Sequence, residues 1–260
     1  MRQAELTTCV LCPRLCRHAC PVATGTAREA AVPTWIADVL HGWAEGRVDA
    51  ALAAEAATLC VDCGRCQDHC HLHRPLPALI VEARRALLDP PALEPLGEVE
   101  GEGELVAVET DARSWSEALG AALGRPVGRL RTGDGLGRAG RGGPGWTDRG
   151  AALVALFRGR TAVVCHGDAA EVLQETGVAV RWLHELLPSL GEVREGCARG
   201  GAGCCGGAGP LAAHHPDDAA RMARLWPAAD GLLADSRCAT HRARCGLPAR
   251  DAVDRLLERP

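Results

Sequence analysis

The chain has 260 residues, a formal net charge of −4 and an isoelectric point near 6.2. It has no basic run, which argues against nucleic acid or an anionic membrane surface as its partner. Fourteen cysteines are a high number for an ordinary soluble chain. The opening residues, MRQAELTTCV, lack the apolar segment of a signal peptide, and no apolar run is long enough for a transmembrane segment. We therefore expect a cytoplasmic protein whose cysteines serve metal or redox chemistry rather than disulfides.

Two groups of four cysteines stand near the start of the chain. The second group, CVDCGRCQDHC, has Cys60, Cys63, Cys66 and Cys70 in the C-x2-C-x2-C-x3-C spacing of bacterial ferredoxins. Three cysteines on one tight loop can bind three irons of a cubane [4Fe–4S] cluster. The fourth cysteine points away from them and binds the neighbouring cluster.

The first group, CVLCPRLCRHACP, has one more residue than the standard run, with Pro13 and Arg14 in the longer loop. Because each run supplies the fourth ligand of the other's cluster, the spacing predicts two crossed ligand sets. The first cluster is assigned to Cys9, Cys12, Cys16 and Cys70, and the second cluster to Cys60, Cys63, Cys66 and Cys20.

Alternatives to two cubane clusters follow from the same residues. The longer first loop also suits a looser cluster or a three-iron form. His71 replaces the proline usual after the last cysteine, and we interpret His71 and His73 as solvent-facing groups rather than ligands. A zinc site would use four of the eight cysteines and leave the other four unexplained.

The segments around these cysteines have helical patterns. Residues 33–59 are predicted as helix, with an apolar face in PTWIADVLHGWAEG that continues into AALAAEAATL. A further helix is predicted over LPALIVEARRALL. The sequence therefore predicts an all-helical domain over residues 1–90.

A polar linker rich in glycine and glutamate is predicted over residues 91–104. Strand and helix patterns alternate in the domain assigned to residues 105–260, from the strand ELVAVE and the helix SWSEALGAAL, capped by Ser114, to the strand GLLAD. Such alternation predicts an α/β domain with a mainly parallel sheet. The Gly-rich stretch GDGLGRAGRGGPG is interpreted as a loop rather than a dinucleotide site.

A third group of cysteines follows later in the chain. Cys204 and Cys205 stand between glycines, as in a loop that lets thiolates crowd around a metal. Cys238 and His241 follow the strand GLLAD, at the strand end where α/β folds place their sites. The alternative is that Cys204 and Cys205 are small core residues beside tight turns.

These motifs resemble the heterodisulfide-reductase-related iron–sulfur proteins. That family includes iron–sulfur subunits of glycolate oxidase, anaerobic glycerol-3-phosphate dehydrogenase and lactate-utilisation complexes. The resemblance rests on both cysteine runs, on Cys204-Cys205-Gly206, and on the helix GPLAAHHPDDAARMA after it. It implies a fold of class α + α/β, in which an N-terminal all-helical two-cluster ferredoxin domain precedes a degenerate α/β CCG-type domain.

The resemblance also implies a third metal site that has lost part of its ligand set. The first CCG copy keeps one cysteine of its C-x-x-C motif, and His241 stands where the last cysteine of the second copy would be. The site would bind a further iron–sulfur cluster, a zinc ion or nothing. Its candidate ligands are Cys165, Cys197, Cys204, Cys205, Cys238 and His241.

Three functions compete on this basis. The first is a one-electron carrier, the subunit or partner of a flavoprotein dehydrogenase or other redox protein, with any membrane association made through that partner. The second is a heterodisulfide-reductase-like enzyme with a catalytic cluster at the CCG motif, against which the missing cysteines count. The third is a module in which metal only stabilises the fold. We expect no catalytic residues in a carrier.

Overall fold

The structure, a computed structural model, divides into two compact units that are each discontinuous in sequence. Unit 1 combines Met1–Pro90, Cys197–Ala228 and His241–Leu247, and unit 2 combines Pro91–Gly196, Ala229–Thr240 and Pro248–Pro260. The residues described are 3–12, 15–88, 95–109, 113–132, 136, 146–190, 193–194, 210–225, 232–233 and 236–258. The domain division at residues 1–90, 91–104 and 105–260 stays a prediction.

The described part of residues 3–88 contains helices and turns but no strand, as predicted. Its helices are α1 Gln3–Val10, α2 Pro21–Thr26, α3 Pro33–Ala44, α4 Ala50–Thr58, α5 Arg65–Asp68 and α6 Leu76–Leu87. Prolines in the first turns of α2, α3 and α6 suit positions where a backbone N–H has no helical partner.

The continuous helix predicted over residues 33–59 is wrong, because α3 and α4 are separate helices. Gly46 adopts a left-handed conformation with φ +73°, and its N–H bonds back to the Trp43 carbonyl. This geometry ends α3, since glycine has no Cβ to oppose a positive φ. Asp49 then caps α4 by accepting a 2.8 Å hydrogen bond from the N–H of Leu52. The break turns the chain so that α4 packs against α3.

The core of unit 1 includes a segment from far along the chain. Leu6, Ile36, Leu40 and Ile80 of the N-terminal helices are at most 2% exposed and share one apolar cluster. Leu211 of α11 (Pro210–His214) and Ala219 and Met222 of α12 (Pro216–Leu225) join that cluster. Burial of these side chains stabilises unit 1 by removing apolar surface from water.

Polar contacts hold α11 and α12 against the N-terminal helices. A guanidinium N–H of Arg28 donates to the Asp218 carboxylate at 3.0 Å. The Thr58 hydroxyl donates to the Glu55 carbonyl, so its oxygen is left to accept the Nε2–H of His215 at 2.9 Å. Helix α12 packs against α2, the helix that follows Cys20 directly.

Unit 2 is built on a parallel sheet, as the alternating pattern predicts. Four strands, β1 Leu105–Glu109, β2 Gly128–Arg131, β3 Thr161–Val164 and β4 Val180–Trp182, pair in the order β2-β1-β3-β4. Two short strands, β5 Val193–Arg194 and β6 Leu232–Leu233, form a second parallel pair. The remaining helices are α7 Ser116–Leu123, α8 Trp146–Phe157, α9 Gly167–Glu175, α10 Leu183–Leu186, α13 Ser236–Arg244 and α14 Ala252–Leu257.

Both faces of the two central strands, β1 and β3, are buried, which explains why these strands are nearly continuous apolar runs. Alternate residues of β1 serve opposite faces: Val106 and Val108 pack with Phe157, whereas Leu105 and Ala107 pack with Trp115. In the predicted linker, Glu100 forms an antiparallel bridge with Arg129 of β2.

The predicted cap at Ser114 is wrong, because Glu109 takes that role from the end of β1. Its carboxylate is 1% exposed and accepts hydrogen bonds from the N–H groups of Trp115 at 2.8 Å and Ser116 at 2.9 Å. A carboxylate is favoured there because the helix N-terminus carries partial positive charge and unpaired N–H groups. Within the described ranges, no helix is long and apolar enough to cross a membrane.

We predict that Met222→Ala lowers the free energy of unfolding by about 2–5 kcal/mol, because Met222 is 2% exposed and its loss leaves a cavity. The measurement is the urea midpoint of the anaerobically purified protein. Leu225→Ala is the matched control on the same helix, since Leu225 is 65% exposed. Equal effects of the two substitutions would contradict the packing of α12 in this core.

A second prediction concerns pH. Burial lowers the pKa of His215 below its ordinary value of 6.5, and the Arg28 cation lowers it further. As the pH falls, the unfolded chain therefore binds a proton at His215 at a higher pH than the folded protein does. The contribution of His215 to stability is full above the ordinary pKa and is lost as the pH falls below it. Between about pH 7.5 and about pH 5.5, the wild type should lose more stability than His215→Gln, which keeps a donor for Thr58.

The control for this pH series is His214→Gln, which changes the exposed neighbouring histidine. Its stability should fall with pH as in the wild type. A His215→Gln variant with the pH dependence of the wild type would disprove the role of His215.

Candidate metal centre

Thiols from both cysteine runs approach one another in unit 1. Burial raises the pKa of the Cys9 thiol to about 11, and the charges of Cys70 and Cys12 act in the same direction. Burial likewise raises the pKa of Cys16 to about 11, with further contributions from Cys12 and Cys9. Cys70 of the second run therefore lies near Cys9 of the first run.

The second predicted set shows the complementary arrangement. Burial raises the pKa of the Cys66 thiol well above its usual range, and the charges of Cys63, Cys20 and Cys16 add to the effect. Burial also raises the pKa of the Cys60 thiol, and the charge of Cys66 acts in the same direction. Cys20 of the first run thus lies near cysteines of the second run.

A partly open cavity is lined by all four cysteines of this second set. Its other walls are mainly apolar, from Val22, Ala31, Pro33, Ile36, Val61, Gly64, Pro77 and Ile80. These residues fit a cubane cluster, because they offer four thiols and a mainly apolar wall around one space.

The local backbone explains how the second loop presents its cysteines. Cys60 follows the end of α4, and Asp62 adopts a left-handed conformation with φ +56°. Gly64, with φ +76°, precedes α5, which carries Cys66. These two positive φ values fold the chain tightly between Cys60 and Cys66, so that one loop presents three thiols.

In the first loop, Cys9 lies in the last turn of α1, and the N–H of Cys12 bonds back to the Cys9 carbonyl at 3.3 Å. Cys20 stands in an extended conformation at the position before α2, directly after the 3-10 turn Leu15–Ala19 that holds Cys16. Pro13 and Arg14, the extra residues of this loop, lie outside the described residues. His71 and His73 are exposed, as predicted.

Within the described ranges, no group of three or more His, Cys, Asp or Glu side chains converges on a point that one metal ion could occupy. A cubane cluster does not require such convergence, because each thiolate binds a different iron. Both ligand sets stay predictions, supported by the neighbouring thiols and the cavity.

The predicted third site is only partly described. Cys165 is buried at the end of β3, in the core of unit 2, and Cys238 is buried on α13. His241 donates its Nε2–H to the Ala219 carbonyl at 3.2 Å within unit 1. Cys197, Cys204 and Cys205 lie outside the described residues, as does most of the predicted Gly-rich loop. The third site stays a prediction.

Three residues near the predicted ligands were not singled out from the sequence: Cys245, Asp62 and Arg84. Cys245 places its Sγ 3.9 Å from Nε2 of His241, a contact that the i,i+4 helical spacing of the pair would have predicted. The N–H of Asp62 donates to Cys60 Sγ, and the guanidinium of Arg84 donates to the Cys60 carbonyl. Arg84 had no signal, since it is an ordinary basic residue near the end of a helix.

Comparison with known proteins identifies the class of domain. Residues 5–73, which are 69 of the 260 residues, match the family model of the 4Fe-4S dicluster domain. All eight cysteines of the two runs fall within this match. No curated protein and no solved structure gives a significant match to the chain. The dicluster match supports an iron–sulfur protein with [4Fe–4S] clusters and an electron-transfer role.

A set of cysteine variants tests the crossed ligands. A triple variant that combines Cys60→Ala, Cys63→Ala and Cys66→Ala should keep one cluster, with about four irons per chain. Adding Cys70→Ala should remove that iron, whereas adding Cys20→Ala should leave it in place, because the remaining cluster uses Cys70. The measurement is iron and acid-labile sulfide per chain. The reverse result would show that each run binds its own four ligands.

Proposed function

We propose that this protein is a one-electron carrier with two [4Fe–4S] clusters, one held by each crossed set of cysteines. It serves as a subunit or partner of a flavin-linked dehydrogenase. The observation that carries this proposal is the cavity lined by Cys20, Cys60, Cys63 and Cys66, in which a cysteine of the first run joins three of the second. The dicluster match supports the electron-transfer role.

The residues around the cysteines suit electron transfer. When bound, each [4Fe–4S] cluster supplies a centre that gains or loses one electron. Val22, Ile36 and Ile80 line the second set with apolar surface, which limits the access of water to the thiolates. The N–H of Asp62 donates to Cys60 Sγ at 3.4 Å, and such donors stabilise the added negative charge of a reduced centre.

The two cysteine sets also lie next to each other. Charges of Cys16 in the first set act on Cys66 in the second, and Cys16 and Cys20 interact with each other. Neighbouring centres allow an electron to pass from one set to the other within unit 1. The proposal of a flavoprotein partner rests on the family resemblance, since flavins convert two-electron chemistry into single-electron steps.

The experiment that tests the proposal counts iron and electrons. The anaerobically purified protein should contain about eight irons and take up about two electrons per chain from dithionite, with two interacting EPR signals. The combined Cys60→Ala, Cys63→Ala and Cys66→Ala variant is the control, and it should take up about one electron. The reduced protein should return its electrons to an added one-electron acceptor.

Two outcomes would contradict the carrier proposal. Zinc in place of iron and sulfide would show a structural metal site. More iron than two clusters need, with an additional EPR signal that changes on addition of a thiol or disulfide, would support a heterodisulfide-reductase-like enzyme instead. That signal would also assign metal to the third site.

A further inference from the structure

Arg84, near the end of α6, makes three short hydrogen bonds to the segment that carries Cys60. Its Nε donates to the Ala57 carbonyl at 2.7 Å, and its Nη2 donates to the Cys60 carbonyl at 2.6 Å. Its Nη1 donates to the Asp62 carboxylate at 2.6 Å. The side chains of Arg84 and Asp62 are each only 12% exposed. The planar guanidinium thus joins the end of α4 to the cysteine loop.

This position requires a cation with several donors. Ala57 lies in the last turn of α4, where carbonyls lack helical partners and carry partial negative charge. Asp62 has a positive φ of 56°, a conformation that aspartate adopts more readily than most residues but that still costs some free energy. The bond from Arg84 holds Asp62 in that conformation. A lysine has no planar fork with which to reach all three acceptors.

The same loop sets two negative groups side by side once Cys60 binds metal. Asp62 Oδ1 lies 3.5 Å from Cys60 Sγ, where a protonated thiol donates to it. A metal-bound sulfur has lost that proton, so the carboxylate then faces an anionic sulfur. The Arg84 cation lies against the same carboxylate and offsets its charge, while the Asp62 N–H continues to donate to the sulfur.

We propose that Arg84 is a positioning residue that fixes the Cys60–Asp62 loop and, by offsetting the Asp62 charge, raises the reduction potential of the cluster at Cys20, Cys60, Cys63 and Cys66. This inference rests on the proposed function. Reduction adds one electron to the cluster without a proton, so a nearby cation favours the reduced form and an uncompensated carboxylate opposes it.

The test measures the midpoint potentials of both clusters by EPR-monitored redox titration. Arg84→Met should lower one of the two potentials, and Asp62→Asn should raise the same one. Asparagine tolerates a left-handed φ and keeps the backbone N–H that bonds to Cys60 Sγ. The Arg84→Met and Asp62→Asn double variant should lie closer to the wild type than either single variant. Arg85→Met removes the same charge from the next, exposed residue and is the matched control.

A second readout is the thermal midpoint of the anaerobically purified protein. Arg84→Met should lower this midpoint, because it removes three hydrogen bonds to the loop, and Arg84→Lys should recover part of the loss. Potentials that do not move in Asp62→Asn, or that move equally in Arg84→Met and Arg85→Met, would overturn the inference. If Arg84→Met does not fold, Asp62→Asn decides the matter. Iron-free protein would instead contradict the proposed function itself.

Discussion

The approach of Cys20 and Cys70 to the opposite cysteine runs is the constraint on which unit 1 depends. Each run places three thiols locally, while Cys70 lies near Cys9 of the first run and Cys20 lies near Cys66 of the second. Helices α3 and α4 connect the two runs, and the break at Gly46 lets them fold back on each other. The helical core therefore serves to bring two loops together, and its packing fixes how closely the thiols approach.

Buried thiols are costly to ionise, and this cost shapes the surroundings. Burial raises the pKa of Cys9, Cys16, Cys60 and Cys66, so in the absence of metal these groups favour the neutral thiol. Metal binding displaces those protons and leaves thiolates in an apolar setting. The N–H of Asp62 and the Arg84 cation reduce that cost at Cys60.

Segments distant in sequence complete unit 1. Helices α11 and α12 contribute Leu211, Ala219 and Met222 to the helical core, and Asp218 pairs with Arg28. Because α12 packs on α2, which starts directly after Cys20, the later part of the chain supports a predicted metal ligand of the first part. No local pattern in the helix PDDAARMARL indicates this partner, since an amphipathic helix shows which face is buried but not against what.

The sequence by itself determined the iron–sulfur character of the two cysteine runs, the helical character of the described part of residues 3–88 and the parallel sheet of unit 2, because spacing and periodicity are local properties. The break between α3 and α4 has local signals too, in Gly46 and Asp49, which the helical periodicity on both sides concealed. The tertiary structure alone decided the capping of α7 by Glu109 and the contacts of Arg84, because each depends on a charged side chain whose partner comes from another element. A charged residue on a helix gives the same local sequence pattern whether it faces water or forms hydrogen bonds to a neighbouring cysteine loop. Only the packing of the helices distinguishes the two cases.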